Sequence, residues 1–276
     1  MKVTRSGYYA YRKRRVLDKR CGAVTAQKRE VRACFYEHRR RYGSRRIAKQ
    51  LKIGRFRVRS IMKQQNLRAI APKSFVPRTT DSRHGGRISP NLLKDLKNER
   101  LSAGEAVVGD ITYLPLRNGK WCYLATFQDK LTRRIIGWEV SAAMTAELVV
   151  KALRMALRNG LIRPNAIIHT DRGSQYVSDV YRELLQIHGL RQSMSAAGNC
   201  YDNAQAESFF SRFKAELVEG GVFESVEQAR TETFSYIEGY YNRIRLHSSL
   251  GYLSPMEFEK QLKIKTKRSR ESFVSI

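Results

Sequence analysis

Apolar residues between positions 105 and 141 fall into three runs that are separated by short polar stretches. The runs read EAVVGDITYLPL, KWCYLATFQDK and RRIIGWEV, and each has the length of a strand. Apolar runs of this length, bounded by turn residues, predict three consecutive strands that form an antiparallel meander.

Helices and strands are predicted to alternate after this meander. Residues 145–160 place apolar side chains at helical spacing, with Thr145 as the N-cap and Gly160 as the terminator. The segments AIIHT, SDVYRELLQIHG, LRQSMS and YDNAQAESFFSRFKAEL then predict a strand, a helix, a strand and a helix. This order predicts an α/β fold with a mixed five-stranded sheet and flanking helices, which is the topology of the ribonuclease H-like fold.

Three helices are predicted for the start of the chain. Residues 26–41 pattern as the first helix, Ser44 is a plausible N-cap of the second, and Gly54 supplies the turn before the third. The residues predicted to point inward are Val31, Cys34, Phe35, Ile47, Ala48, Leu51, Val58, Ile61 and Met62. The residues of the first helix predicted to point outward are Arg29, Arg32, Arg39, Arg40 and Arg41.

Two short helices joined at a glycine-containing turn predict a helix-turn-helix whose second helix enters the major groove of DNA. A surface that grips phosphates without reading bases is the alternative that the sequence leaves open.

Charged residues are distributed unevenly along the chain. There are 53 Lys and Arg against 25 Asp and Glu, a net charge of +28, and residues 1–69 hold 23 of the basic side chains against only three acidic ones. Such an excess predicts a polyanionic partner, with nucleic acid as the first candidate. The predicted division is a basic helix-turn-helix domain (1–69), a linker (70–100), a ribonuclease H-like domain (101–220) and a C-terminal helical segment with a basic tail (221–276).

Two other classes of protein are disfavoured by the composition. The sequence contains neither an apolar stretch long enough to span a membrane nor an apolar leader at its start, so a cytosolic or nucleoid-associated protein is expected. The four cysteines show no metal-ligand spacing, which predicts reduced, packed thiols rather than a zinc site or a disulfide framework.

Three acidic residues occur where a charge needs an explanation. Asp110 lies within an apolar strand, Asp171 directly follows another strand, and Glu207 lies on the predicted helix that comes last in the sheet domain. Carboxylates brought together in one fold repel one another unless a divalent cation binds them. Two such ions, about 4 Å apart, suit phosphodiester cleavage and transfer.

Other acidic residues have simpler interpretations. Asp129 is expected in a surface turn with ion pairing to Lys130 and Arg133. Asp202 is expected to cap a helix together with Asn203, and Glu216 to lie beyond reach of the sheet centre. His169 is interpreted as a packed or supporting histidine rather than a metal ligand.

The motifs SGYYAYRKR, GDITYLP, HTDRGSQY, GNCYDNAQAESFF and YNRIRLHSSLGYLSPMEF, with 35 residues between Asp171 and Glu207, resemble the OrfB product of the insertion sequence 3 family. This family belongs to the DDE transposases and is related to retroviral integrases. The resemblance implies that Asp110, Asp171 and Glu207 bind two Mg²⁺ ions, with Mn²⁺ as a substitute, and that Lys214 contacts transposon-end DNA.

The partners expected from this resemblance are double-stranded DNA, as terminal inverted repeats and as target, further copies of this chain assembled on DNA, and the upstream-frame product OrfA. A bacterial cytoplasmic location near the nucleoid follows. Besides Lys214, the candidate DNA-contact residues are Arg45, Arg46, Arg55, Arg57, Arg59, Lys63, Arg243 and Arg245. For the segment around Tyr240 and Tyr241, packing against the catalytic domain is the alternative to DNA contact.

The predicted function is therefore a DNA transposase that binds element ends and catalyses metal-dependent strand cleavage and strand transfer. The alternative is a non-catalytic or regulatory DNA-binding protein derived from a transposase. A retroviral-type integrase would need an N-terminal zinc site that the cysteine spacing does not provide, and a plain ribonuclease H has no evident use for the basic N-terminal domain.

Overall fold

The computed structural model describes residues 4–71, 87–94, 96, 101–195, 204–218 and 222–274, without the side chains of residues 14–21 and 266–274. Contacts within the chain divide it into two compact units, residues 1–71 (unit 1) and residues 72–276 (unit 2). Each unit has its own buried apolar residues, and each is described by itself below.

Unit 1 contains three helices, α1 (Arg5–Glu37), α2 (Ser44–Leu51) and α3 (Arg55–Gln64). The first is much longer than the helix predicted over 26–41. It begins where the Thr4 hydroxyl accepts a hydrogen bond from the Gly7 amide, at 3.3 Å. The first half of α1 was not predicted from the sequence, because it has no stripe of apolar residues at helical spacing. The tyrosines near its start are exposed.

The three helices pack around a small core. Val31, Cys34 and Phe35 of α1 are buried, as are Ile47 of α2 and three residues of α3. These burials confirm the predicted inward faces, although Ala48 and Leu51 are only half-buried.

Two local predictions for unit 1 were wrong. Gly43, not Ser44, is the N-cap of α2, and Ser44 is its first helical residue. Arg41 is buried rather than exposed. In the turn that follows α1, the His38 ring stacks on the Tyr42 ring with 3.7 Å between the ring centroids. Nε2 of His38 is hydrogen-bonded to Oε1 of Gln50.

Unit 2 is built on one mixed sheet. Its strands are β1 (Ala106–Pro115), β2 (Trp121–Asp129), β3 (Ile135–Ser141), β4 (Ile167–Thr170) and β5 (Arg191–Met194). The spatial order is β3-β2-β1-β4-β5, in which the first three strands are antiparallel and β1, β4 and β5 run parallel. The predicted meander and the predicted mixed five-stranded sheet are both confirmed.

Helices cover both faces of the sheet. They are α4 (Ala146–Arg158), α5 (Ser174–Val177), α6 (Asp179–Ile187), α7 (Ala204–Leu217), α8 (Val226–Phe234), which continues into a π-helical turn (Ser235–Tyr241), and α9 (Pro255–Val274). The predicted C-terminal basic tail is thus helical as far as Val274.

Two apolar clusters fill the space between sheet and helices. One joins Val107 and Ile168 of the sheet to α4 and α6. The other joins Leu114 and Trp138 of the sheet to the phenylalanines of α7 and the tyrosines of the π-helical turn. The C-terminal segment is therefore part of the core of unit 2.

Candidate active site

Asp110 lies within β1, and Asp171 directly follows the end of the neighbouring parallel strand β4 (Ile167–Thr170). Val108 of β1 pairs with His169 of β4, and each aspartate stands two residues beyond its member of that pair. Because β1 and β4 run parallel, the two aspartates lie at the same end of the paired segment. Both are half-buried, so solvent reaches them.

Tyr176 gives an independent indication that the two carboxylates are close. The pKa of its buried phenol is raised well above the usual value, first by burial and then by the negative charges of Asp171 and Asp110. The negative charges of both carboxylates therefore act on the same phenol. Sequence reasoning did not select Tyr176, although it ends the HTDRGSQY motif that supplied Asp171.

Backbone amides orient the two aspartates. The amide of Ile111 donates to Oδ1 of Asp110 at 2.8 Å, and the amide of Gly173 donates to Oδ1 of Asp171 at 3.0 Å. A Cβ atom at residue 173 would lie only 3.1 Å from that Oδ1 and 2.9 Å from Oε1 of Gln175. A larger residue at position 173 would therefore require the Asp171 and Gln175 side chains to shift.

Gly109, next to Asp110, is constrained in the same way. A Cβ atom there would lie 2.6 Å from the Phe127 ring and 3.2 Å from Cγ2 of Thr170. The sequence GD in β1 thus allows the strand to pack closely on its neighbours just before the carboxylate.

Helix α7 carries Glu207 in its first turn and Lys214 two turns later. The two residues are seven positions apart and share a face of the helix. Glu207 is exposed, whereas Lys214 is half-buried. The pKa of Lys214 is lowered by burial, and this effect is opposed by the charge of Asp110, which places the ammonium group near that carboxylate.

The structure brings Asp110 and Asp171 together but does not include Glu207 in a compact ligand group. Among the described residues, no three His, Cys, Asp or Glu side chains are clustered tightly enough to hold a metal ion. Asp202 and Asn203, predicted to cap the helix, lie outside the described residues.

His169 is a buried core residue, as predicted. Its Nδ1 is 2.9 Å from the Ser193 hydroxyl of β5, and that hydroxyl also accepts a bond from the amide of Leu92. The histidine thereby ties β4 to β5 and to the segment before β1.

The interpretation of Asp129 as an ion-paired surface residue was wrong. Its carboxylate is 3% exposed and accepts hydrogen bonds from the Gly104 amide at 2.7 Å and from the amide and hydroxyl of Thr132 at 2.6 and 2.7 Å. Burial raises its pKa, and these bonds act in the opposite direction. Its backbone carbonyl also accepts a 3.1 Å bond from Nε2 of Gln205, which ties the first turn of α7 to this turn.

Arg245 is not available for DNA contact, so that prediction was also wrong. It is 2% exposed and forms a buried ion pair with Glu216, which also accepts a hydrogen bond from the Tyr236 hydroxyl. Burial acts to lower the pKa of Arg245, but the hydrogen bonds to Glu216 outweigh it and raise the pKa. Tyr241 of the same segment is buried as well.

Most of the other DNA-contact candidates are accessible. The exposed ones are Arg45, Arg55, Arg57, Arg59, Lys63 and Arg243. Arg46 is half-buried, with its guanidinium 5.6 Å from the centroid of the Tyr42 ring. Arg57 is hydrogen-bonded through Nε to Gln27 of α1.

Three family models match the chain. A model described as an HTH-like domain matches residues 24–75, and two described as integrase core domains match residues 101–200 and 207–262. Together with the mixed sheet and its helices, these matches define the chain as a ribonuclease H-like polynucleotidyl transferase.

Similar proteins identify the family within this class to which the chain belongs. The transposase InsF for insertion sequence IS3A of Escherichia coli (strain K12) is 41% identical over 273 residues, which cover 94% of this chain and 91% of the relative. The transposase for insertion sequence element IS904 of Lactococcus lactis subsp. lactis (strain IL1403) is 38% identical over 237 residues, covering 84% and 92%. The chain belongs to the insertion sequence 3 family of DDE transposases.

A solved structure is also similar. The cryo-EM structure of the simian T-cell lymphotropic virus intasome in complex with PP2A regulatory subunit B56 gamma matches with 13% identity and a TM-score of 0.46, covering 83% of this chain and 74% of that chain.

The predicted family, fold and enzyme class are confirmed. The protein is a DNA transposase with an integrase core and an HTH-like domain, and DNA is its partner. Within the described ranges, no helix combines the length and apolar character required to cross a membrane.

Proposed function

We propose that this transposase uses Asp110, Asp171 and Glu207 as its catalytic carboxylates to cleave DNA at element ends and to join those ends to target DNA. The observation that carries the proposal is the placement of Asp110 and Asp171, each two residues beyond the paired Val108 and His169 of neighbouring parallel strands. Glu207 is assigned by its place on α7, on the same helix face as the lysine that lies near Asp110. It would complete the site when DNA and metal are bound.

The cofactor proposed for this site is a pair of Mg²⁺ ions, for which Mn²⁺ could substitute. The donors fit, because two half-exposed carboxylates at the same end of the β1–β4 pair offer the hard oxygen ligands that divalent cations prefer. When bound, such ions lower the pKa of an attacking water or 3′-hydroxyl and stabilise the departing 3′-oxygen.

Residues of this chain orient the two aspartates and bind the DNA phosphate. The amides of Ile111 and Gly173 each donate a hydrogen bond to one of the two aspartates and so orient its carboxylate. Lys214 places a positive charge beside Asp110, where it can bind a DNA phosphate and reduce repulsion between the phosphodiester and the carboxylates.

In unit 1, the exposed cations of α2 and α3 are proposed to bind the terminal inverted repeats of the element. Further copies of this chain, assembled on the two ends, and the upstream-frame product OrfA are the proposed protein partners. The proposed location is the bacterial cytoplasm, at the nucleoid.

Strand transfer with substituted carboxylates tests the proposal. The full chain is incubated with Mg²⁺ and a linear duplex that carries the ends of its own element, and joined products are measured. Asp110→Asn, Asp171→Asn and Glu207→Gln should each reduce joining by at least about 100-fold, since each removes a group needed in the transition state. Binding of the same duplex should remain.

Asp179→Asn and Glu183→Gln on the exposed surface of α6 are matched controls and should keep full activity. Full activity in any one of the three carboxylate variants would remove that residue from the mechanism. Manganese binding to the protein alone, measured calorimetrically, should be lost in Asp171→Asn but not in Asp179→Asn.

A further inference from the structure

Phe56 is an apolar side chain in an unusual place. It is the second residue of α3, and it is 86% exposed, the highest value for a large hydrophobic side chain among the residues whose exposure the structure describes. The core of unit 1 does not use it, because α3 buries Val58, Ile61 and Met62 instead.

The surroundings of Phe56 are strongly cationic. Phe56, Arg59, Ser60 and Lys63 follow the spacing i, i+3, i+4, i+7 and form one stripe on the side of α3 away from its buried residues. Arg55 and Arg57 flank this stripe on either side. We call these residues the α3 outer face (Arg55, Phe56, Arg57, Arg59, Ser60 and Lys63).

This charge selects the kind of partner that can cover the ring. A second copy of the α3 outer face would bring like charges together, and an apolar protein surface would leave four cations without counter-charges. DNA satisfies both requirements, because its phosphates match the cations and its major groove contains one apolar group, the 5-methyl of thymine.

The position of Phe56 on the helix also favours bases over backbone. In a helix-turn-helix, the N-terminal residues of the second helix contact base edges, and α3 is the second helix of this pair. A phenyl ring cannot pair with a phosphate, so its exposure on a surface that only grips the backbone would serve no purpose.

We propose that Phe56 is a specificity-determining residue that packs on the 5-methyl group of a thymine in the major groove of the element's terminal repeat. The cations around it hold the helix in the groove, and the ring reads a base. This inference rests on the proposed recognition of element ends by unit 1.

The test removes the methyl group and the ring separately. The full chain is used to select preferred duplexes from a randomised library, and each thymine of the preferred duplex is then replaced by deoxyuridine, which lacks only the methyl. At one or two thymines, this replacement should weaken binding by the wild-type chain about fourfold, the value of one buried methyl-sized group. The same replacement should not change binding by Phe56→Ala.

Phe234→Ala is the matched control, because Phe234 is also an exposed phenylalanine, at 59%, but lies in unit 2. This variant should respond to deoxyuridine like the wild type. Equal affinity of wild type and Phe56→Ala for an unrelated duplex at low salt shows that the substituted chain remains folded and cationic.

The outcomes separate this inference from the function on which it rests. If a preferred duplex is selected and deoxyuridine weakens both the wild type and Phe56→Ala equally at every thymine, the role of Phe56 is overturned while end recognition stands. If no sequence is enriched, both are overturned.

Discussion

Arg245 and Glu216 form a buried ion pair that fixes α7 to the C-terminal segment, with 2.9 Å between Nε of the arginine and Oε2 of the glutamate. Glu216 lies nine residues after Glu207 on α7 and hence on the opposite face of the helix. The ion pair therefore holds α7 in place on the side opposite the proposed catalytic glutamate.

Breaking this pair should destabilise unit 2. We expect Arg245→Met to lower the free energy of unfolding by about 3–5 kcal/mol, because it leaves the carboxylate of Glu216 buried without its partner. Urea unfolding followed by tryptophan fluorescence measures this directly, since both tryptophans, Trp121 and Trp138, are in unit 2.

Arg243→Met is the control, because Arg243 is exposed, and its effect should stay within about 0.5 kcal/mol. The double variant Arg245→Met with Glu216→Leu should recover much of the loss. Normal stability of Arg245→Met would contradict a structural role for the pair.

Tyr176 should influence catalysis without supporting stability. Its hydroxyl is buried and has no hydrogen-bond partner among the described residues. The charges of Asp171 and Asp110 nevertheless contribute, after burial, to raising its pKa. In the working site it can donate a hydrogen bond to these carboxylates and orient them. We therefore expect Tyr176→Phe to retain wild-type stability and to lower the strand-transfer rate about tenfold.

Tyr181→Phe is a closely matched control. The two rings meet edge to face at 5.4 Å, and the Tyr181 hydroxyl is also buried without a partner among the described residues, but only burial raises its pKa. Its removal should leave strand transfer unchanged. Equal rates for both variants would show that the Tyr176 hydroxyl does not act on the carboxylates.

Asp129 should make the stability of unit 2 depend on pH. Because burial raises its pKa in the folded protein, the folded state holds the proton more tightly than the unfolded state. Stability from this group is therefore full below about pH 3.9, the ordinary value for Asp, and decreases as the pH rises through the higher folded pKa.

Asp129→Asn tests this sign. The variant should be less stable by about 1–3 kcal/mol, because an amide cannot accept all three bonds from Gly104 and Thr132. The advantage of the wild type should shrink as the pH is raised from 4 to 7 in urea unfolding. An advantage that grows over this range would mean that the carboxylate is stabilised as an anion.

Lys63 should contribute to DNA binding through charge alone. Removal of one phosphate contact should weaken binding to all duplexes and reduce the slope of log affinity against log salt by about 0.9. Titration of a labelled duplex at several salt concentrations compares Lys63→Ala with Lys151→Ala, which removes an exposed cation from α4 in unit 2. An unchanged slope for Lys63→Ala would exclude a phosphate contact.

Strands β1 to β4 were predictable because each coincides with an apolar run whose ends are marked by turn residues, and because most of their residues are buried on both faces. The first half of α1 was not predictable in this way, since a helix that leaves most of its surface in solvent needs no apolar stripe.

Charged residues were harder to assign because a sequence shows a charge but not its partner. Asp129 looked like a surface residue beside Lys130, yet its partners are backbone amides and a hydroxyl. Arg245 looked like a DNA contact, yet its partner lies 29 positions earlier, in α7. Asp110 was assigned correctly to a strand because the apolar run around it left no other interpretation.

The aromatic cluster beneath α7 limits how far this enzyme can be shortened. Phe209 and Phe213 pack on Tyr236 and Tyr241, which lie well past residue 220. A truncated chain that stopped there would leave these rings in water and would be prone to aggregate. Any minimal recombinase engineered from this scaffold must therefore retain the π-helical turn and the arginine that follows it.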